Sequence, residues 1–182
     1  MIDPMQIRSV ELDDAQDLCA IYNPYITDTA ITFEETPIDP SEMKRRIVRV
    51  REESLPWLCA TINHKLAGYA YAALWRERSA YRFTVESTIY LSPEYTGRGL
   101  GKNLYSVLLE RIRTAGKRNV IAVITLPNPA SIALHENLGF IKTAHFPEVG
   151  FKFNRWLDVG YWQLSFPMDP DRSSPLDEKP TS

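Results

Sequence analysis

The chain has 182 residues, 44% hydrophobic and 24% charged, enough for one domain with a full core and too short for two large ones. Its 21 Lys and Arg stand against 23 Asp and Glu, a formal charge of −2, which excludes a protein built around a nucleic-acid backbone or an anionic membrane surface. With no apolar run of membrane-span length and no signal-peptide core, and with two cysteines in apolar patterns and three scattered histidines, the expectation is a reduced, cytoplasmic chain without a metal site.

Residues 5–10 alternate weakly and read as an opening strand. Asp13 and Asp14 then precede Ala15, Leu18, Cys19 and Tyr22, spaced as one face of a helix that Asn23-Pro24 is expected to end. Residues 27–36 are β-branched and aromatic without a period and read as a loop. Asp39, Pro40 and Glu42 form a helix start signal, with Met43, Ile47 and Val50 as the buried face and a basic outer face. WLCATI at 57–62, a turn at 63–65 and LAGYAYAAL at 66–74 read as a hairpin. FTVESTIYL at 83–91 has period two, with Val85, Ser87, Ile89 and Leu91 on one face and Glu86, Thr88 and Tyr90 on the other. A carboxylate in mid-strand is depleted and costly to bury, so Glu86 calls for a role.

After glycines at 97–101, Leu100, Leu104, Val107, Leu108, Ile112 and Ala115 define an amphipathic helix stopped by Gly116. VIAVITL at 120–126 is apolar throughout, as for a strand covered on both faces. Asn128-Pro129 starts a helix running to Leu138, with Gly139 as its left-handed terminator. Strands at 140–145 and 157–166 follow, separated by a glycine- and aromatic-containing loop. The order β-α-α-β-β-β-α-β-α-β-β implies an α+β or mixed-sheet α/β domain covering residues 1–168. From Asp169 the chain holds four acids, two bases, three prolines and almost no large apolar side chain, so 169–182 is expected to stay disordered. Setting it aside leaves 19 residues of each sign, so any anion-binding site must be local.

Thr96-Gly97-Arg98-Gly99-Leu100-Gly101-Lys102 joins a strand to a helix, where glycines free backbone N–H groups to turn toward an anion and the helix start adds its dipole. The spacing is G-x-G-x-G, not the dinucleotide G-x-G-x-x-G. It also fails the Walker pattern, with Thr96 in place of the first glycine and Asn103 after the lysine. The segment resembles the [QR]-x-x-G-x-[GA] pyrophosphate loop of GNAT-type N-acetyltransferases, with Thr96 in place of Gln or Arg. IYNPYITDTAITFEETP, YRFTVESTIYLSPEYTGRGLG, ASIALHENLGF and GFKFNRWLDVGYWQL extend the resemblance across residues 6–167 to the branch that acetylates phosphinothricin and methionine sulfoximine.

The resemblance implies a mostly antiparallel twisted sheet flanked by helices. It would splay into a V between strands 83–91 and 120–126, with acetyl-CoA inside. Backbone groups of Ile89, Tyr90 and Leu91 would pair with the pantetheine arm, Gly97, Arg98, Gly99, Leu100, Gly101 and Lys102 would hold the pyrophosphate, and Asn128 would bind pantetheine amides or simply cap its helix. Glu86 would be the base that deprotonates the amine, or else a strand carboxylate paired with Arg76 or Arg82. His135, in the slot of the family's tyrosine, would donate or relay a proton, or only pack near the ligand. Arg76, Glu77 and Arg78, with Glu86, Ser87 and Thr88, would meet a small amino-acid-like amine, and Tyr25, Phe33 and Glu34 would line its pocket. A homodimer is implied, with the aromatic segment 151–162 as a partner surface. Two other readings are a peptide or protein amino-group acetyltransferase and a CoA-binding sensor without catalysis.

Overall fold

The structure, a computed structural model, describes residues 5–167; the tail expected to be disordered lies outside the described residues. The elements are β1 (Gln6–Ser9), α1 (Ala15–Asp28), α2 (Pro40–Glu52), β2 (Trp57–Ile62), β3 (Lys65–Leu74), β4 (Thr84–Leu91), α3 (Leu100–Thr114), β5 (Asn119–Leu126), α4 (Pro129–Asn137), β6 (Ile141–Lys152) and β7 (Arg155–Ser165). The seven strands form one sheet in the order β1-β2-β3-β4-β5-β7-β6. Every neighbouring pair is antiparallel except β4 and β5, the mixed α/β architecture expected from the sequence.

That parallel pair determines the shape. β4 stays in register with β3 from Val85 to Leu91, and β5 stays in register with β7 over its whole length. Between β4 and β5, however, only Thr84, Val85 and Glu86 pair, with Asn119, Val120 and Ile121. Beyond Glu86 the two halves of the sheet diverge, and the facing edges of β4 and β5 lack a strand partner.

Alternation along β4 sorts the helices onto two faces. Tyr90 packs against Tyr22 and Tyr25 of α1, with ring centroids 4.8 and 4.9 Å apart. Ser87, of opposite parity, meets Tyr105 of α3. Each helix inserts an apolar stripe: Leu18, Tyr22 and Ile26 of α1, Met43, Ile47 and Val50 of α2, and Leu104, Leu108 and Ile112 of α3 are all buried. The predicted start of α2 forms as expected, with the Asp39 carboxylate accepting from the Glu42 N–H at 2.8 Å.

Three local expectations need correction. α1 does not end at Asn23-Pro24 but runs through the proline to Asp28. Burial of Ile26 and a hydrogen bond from the Tyr25 hydroxyl to the Leu91 carbonyl hold its last turn against the sheet. Asn23, instead of ending the helix, clamps both backbone groups of Ile38 with its side chain at 3.0 Å. The last two strands are also longer than expected. They are joined by a two-residue turn at Phe153 and Asn154, both left-handed (φ 51° and 60°), with no loop between them. Gly150 lies inside β6 and a bulge spans Phe146 to Gly150. Finally, β5 is not covered on both faces throughout, since Val123 is 37% exposed and borders the opening in the sheet.

Gly68 on β3 faces Leu91, and a Cβ there would come within 2.5 Å of the Leu91 side chain and 2.9 Å of the Tyr90 carbonyl. The second neighbour is backbone and cannot rotate away. Gly68→Ala is therefore expected to lower unfolding free energy by about 1–3 kcal/mol, measured by urea denaturation. An unchanged midpoint would show that β3 and β4 can separate at this end without cost.

Candidate active site

The opening between β4 and β5 is a half-open cleft of about 210 Å³. β4 contributes Glu86, Ser87, Thr88, Ile89 and Tyr90, and β5 contributes Val123, Ile124 and Thr125. Ile31, Thr32 and Phe33 close one side from the segment between α1 and α2, while Asn128, Ser131 and His135 close another from α4 and its cap; Val159 completes the lining.

Glu86 sits at the apex, the last β4 residue to pair with β5. Burial raises its carboxyl above the ordinary carboxylate range, and the positive charge of Arg76 only partly opposes that. Among the described residues Glu86 forms no ion pair within 4 Å, so it is not the arginine-paired strand carboxylate of the alternative reading. Arg76 instead lies over the Trp75 ring at 4.9 Å, and Arg82 over Phe83 at 4.5 Å. Arg76, Glu77 and Arg78 are all exposed beyond the end of β3 and none lines the cleft. Ser87 and Thr88 do line it, on opposite faces of β4.

The segment at 29–36 has no regular structure and is fastened from behind. The Tyr22 hydroxyl, pushed up to about 12 by burial, bonds Thr32 Oγ1 at 2.8 Å and Glu34 Oε1 at 2.9 Å. Arg46 holds Glu34 with two bonds of 2.7 and 3.1 Å. Lys152, buried in β6, donates from Nζ to the Thr32 carbonyl at 2.7 Å. Phe33 is brought to the cleft as the sequence reading expects; Glu34 serves the scaffold behind it, and Tyr25 is engaged with Leu91.

The turn after β4 lies at the far end of its unpaired edge. Gly97 and Gly99 are left-handed (φ 73° and 80°), and an added Cβ on either would meet nothing within 4 Å, so the backbone there borders open space. The first bond of α3 at this end runs from the Asn103 N–H to the Gly99 carbonyl. The N–H groups of Leu100, Gly101 and Lys102 thus lie ahead of the helical ladder. Arg98 and Lys102 flank them, exposed. Gly101 instead packs inward, 3.2 Å from a Leu91 methyl at its would-be Cβ. Thr96 turns its hydroxyl back to the Pro93 carbonyl at 2.9 Å.

On α4, Asn128 caps the helix by accepting from the Ser131 N–H at 3.1 Å, and it also borders the cleft. His135 is 4% exposed, and burial lowers its pKa, keeping it neutral at neutral pH. Its Nδ1 lies 2.7 Å from the Ser131 carbonyl and its Nε2 3.0 Å from the Tyr105 hydroxyl, which in turn lies 2.5 Å from Ser87 Oγ. Tyr105, Ser131, Thr32 and Lys152 are absent from the sequence-based candidates. Tyr105 follows Leu104 on an apolar helix face, and only the tertiary structure shows what its hydroxyl meets. Among the described residues no group of His, Cys, Asp and Glu is arranged to hold a metal ion, and no helix is long and apolar enough to cross a membrane.

The family model described as an acetyltransferase (GNAT) domain matches residues 7–160. The chain is 39% identical over 163 residues to a phosphinothricin N-acetyltransferase of Streptomyces viridochromogenes, covering 90% of this chain and 88% of that one. It is 36% identical over 170 residues to an L-methionine sulfoximine/L-methionine sulfone acetyltransferase of Pseudomonas aeruginosa, covering 93% and 98%. The crystal structure of a GNAT superfamily phosphinothricin acetyltransferase from Sinorhizobium meliloti, in complex with AcCoA, superposes with a TM-score of 0.89 at 37% identity, covering 97% of this chain and 96% of that one.

A carboxyl raised by burial has a stability consequence whose sign is fixed. Protonated Glu86 is favoured in the folded state, so the ionised form opposes folding once the pH passes the folded-state value. Glu86→Gln is therefore expected to raise Tm at neutral pH, with the gain shrinking as pH falls through the ordinary glutamate range. Paired thermal melts across that range check it, and a gain that grows toward acid pH would contradict the assigned burial.

Proposed function

This chain belongs to the GNAT family of acetyltransferases, and from that premise we propose that it acetylates the α-amino group of a small amino-acid-like compound of the phosphinothricin, methionine sulfoximine or methionine sulfone type. It is an acetyl-CoA-dependent N-acetyltransferase; the compound and the route of transfer are our reading. Acetyl-CoA supplies an activated acetyl thioester. The carrying observation is Glu86, a carboxylate with raised affinity for protons at the apex of a cleft between two diverging strands.

The residues fit that co-substrate. Open space over two left-handed glycines, N–H groups ahead of the α3 ladder, and the charges of Arg98 and Lys102 together suit a pyrophosphate. The unpaired edge of β4 at Ile89, Tyr90 and Leu91 suits an extended amide-bearing arm added like a strand, and one N–H there would stabilise an oxyanion. Asn128 can serve the arm while capping α4.

An α-ammonium group has no lone pair to attack with, so Glu86 takes its proton. Thr88 offers a hydroxyl on the Glu86 face and Ser87 one on the opposite face of β4, and Ile31, Phe33 and Val123 offer apolar walls for a short side chain. Arg76, whose charge acts on Glu86, suits the substrate carboxylate, with Glu77 and Arg78 following it beyond the end of β3. Transfer is direct within a ternary complex. Cys19 and Cys59 are buried, do not line the cleft, and have thiols raised by burial, Cys59 to about 11, which leaves them poor nucleophiles.

We further read the protein as a cytoplasmic homodimer whose reaction detoxifies its substrate by removing the amine's charge. On the β6–β7 hairpin Phe146, Val149, Phe151, Phe153 and Trp156 are 48–61% exposed, a surface suited to a second copy.

The test is a thiol-release screen comparing kcat/KM for phosphinothricin, methionine sulfoximine, methionine sulfone and peptide amines. Turnover of peptides alone would overturn the small-substrate reading, and acetyl-CoA binding without any turnover would favour a sensor. Glu86→Gln should lower kcat by about 10²–10⁴-fold with little change in acetyl-CoA affinity. Arg76→Ala, by removing a charge that favours the carboxylate, should move the acid limb of the kcat/KM profile to higher pH.

A further inference from the structure

Direct donation of a proton by His135 meets an obstacle of hydrogen-bond polarity. A carbonyl only accepts, so the nitrogen 2.7 Å from the Ser131 oxygen, Nδ1, carries the hydrogen. Burial keeps the ring neutral, which leaves Nε2 as a bare lone pair. The Tyr105 hydroxyl, 3.0 Å away, therefore donates to Nε2. With its only hydrogen committed, the Tyr105 oxygen accepts from Ser87 Oγ at 2.5 Å; the other acceptor near that serine, the Ile121 carbonyl, is farther off at 3.3 Å. The bonds thus run in one direction, from Ser87 on β4 through Tyr105 on α3 to His135 on α4. Tyr105 is fully buried while Ser87 and His135 both border the cleft, so the chain starts and ends at the cleft wall and passes through a buried link. Glu86 and Ser87 are consecutive and point to opposite faces, so proton acceptors flank the cleft on both sides.

We propose that Ser87, Tyr105 and His135 form a proton relay that holds, between the two halves of the reaction, the proton that the amine nitrogen loses and the sulfur gains. The proposal rests on the acetyltransferase reading above. After Glu86 has taken one proton, the nitrogen bonds the acetyl carbon and still carries one proton too many. That proton passes to Ser87 Oγ as the Ser87 hydrogen moves to Tyr105 Oη and the Tyr105 hydrogen moves to His135 Nε2, which forms an imidazolium. The carbon–sulfur bond then breaks with its electron pair going to sulfur. The same hops in reverse protonate the sulfur and restore the chain. The nitrogen ends two protons poorer: the one that travelled the relay is now on sulfur, and the one on Glu86 returns to solvent, so no charge stays in the core. Ser87 touches the reacting atoms, whereas Tyr105 is a positioning residue that acts through its two neighbours.

Imidazole ¹⁵N NMR of the ligand-free protein reads the polarity without turnover. His135 is expected to show a protonated Nδ1 and a bare Nε2 at neutral pH, and Tyr105→Phe should shift the Nε2 resonance while Nδ1 stays bonded. In kinetics, Tyr105→Phe and Ser87→Ala should each lower kcat about ten- to hundred-fold at unchanged acetyl-CoA Kd. The double variant should be no slower than the slower single one, because one missing link already breaks the relay. Thermal melts establish folding, and Ser87→Ala carries the kinetic test if Tyr105→Phe does not fold. A protonated Nε2, or both single variants turning over at the parent rate, overturns the relay. If the parent turns over no amine, the acetyltransferase reading has failed, and the tautomer and its response to Tyr105→Phe decide whether the hydrogen-bond chain stands.

Discussion

A parallel strand pair that lasts three residues is the constraint from which the rest follows. Antiparallel neighbours hold β4 from Val85 to Leu91 and β5 over its whole length, so the sheet does not fall apart when those two strands separate after Glu86. The separation leaves strand edges without partners inside a folded domain, which is costly unless something else fills their hydrogen bonds. An extended co-substrate with its own amides is such a filler. On the proposed function, binding site and structural deficit are the same feature. The glycine turn at the outer end of β4 and the carboxylate at the inner end are both placed by that one strand.

Charge is handled differently on the two faces of β4. On the α1 and α2 face an ionisable carboxyl is left in the cleft with no close cation, and its environment tilts it toward holding a proton. On the α3 and α4 face the polar groups are neutral and satisfied among themselves. In the proposed relay a charge produced on that side is unfavourable in the core and is held only briefly, whereas a charge on Glu86 is met by the field of Arg76. The alternation of a single strand thus separates two kinds of proton acceptor by one residue.

Much of this was legible in the sequence wherever the cause is local. Asp39-Pro40 announces α2, Asn128-Pro129 announces α4, and Gly139 ends it at φ 90°, because caps and left-handed positions restrict residue type at fixed offsets. Glu86 stood out because a carboxylate contradicts its strand. What stayed hidden depends on partners distant in the chain. Pro24 reads as a stop, yet burial of Ile26 carries α1 past it. Tyr105 carries no mark beside the apolar stripe of α3, because its hydroxyl meets residues 18 positions before it and 30 after it. Lys152 falls in a segment that reads as a loop, and its amine is buried against a carbonyl 120 residues earlier. The Phe153-Asn154 turn escaped because a left-handed phenylalanine carries no glycine to mark it.

The wall formed by Ile31, Thr32 and Phe33 has a consequence for how such a protein can diversify. Its fasteners, Tyr22, Arg46 and Lys152, come from α1, α2 and β6 and grip Thr32 and Glu34, leaving the side chains of Ile31 and Phe33 outside the bonding network. The Phe33 ring also lies directly over Gly150 of β6, so exchanging either side chain leaves the hydrogen-bonded attachment in place, while exchanging Phe33 changes that packing. On the proposed function, anchor and contact surface are thus held by different residues, so the lining of the cleft can vary while the attachment of the segment is kept.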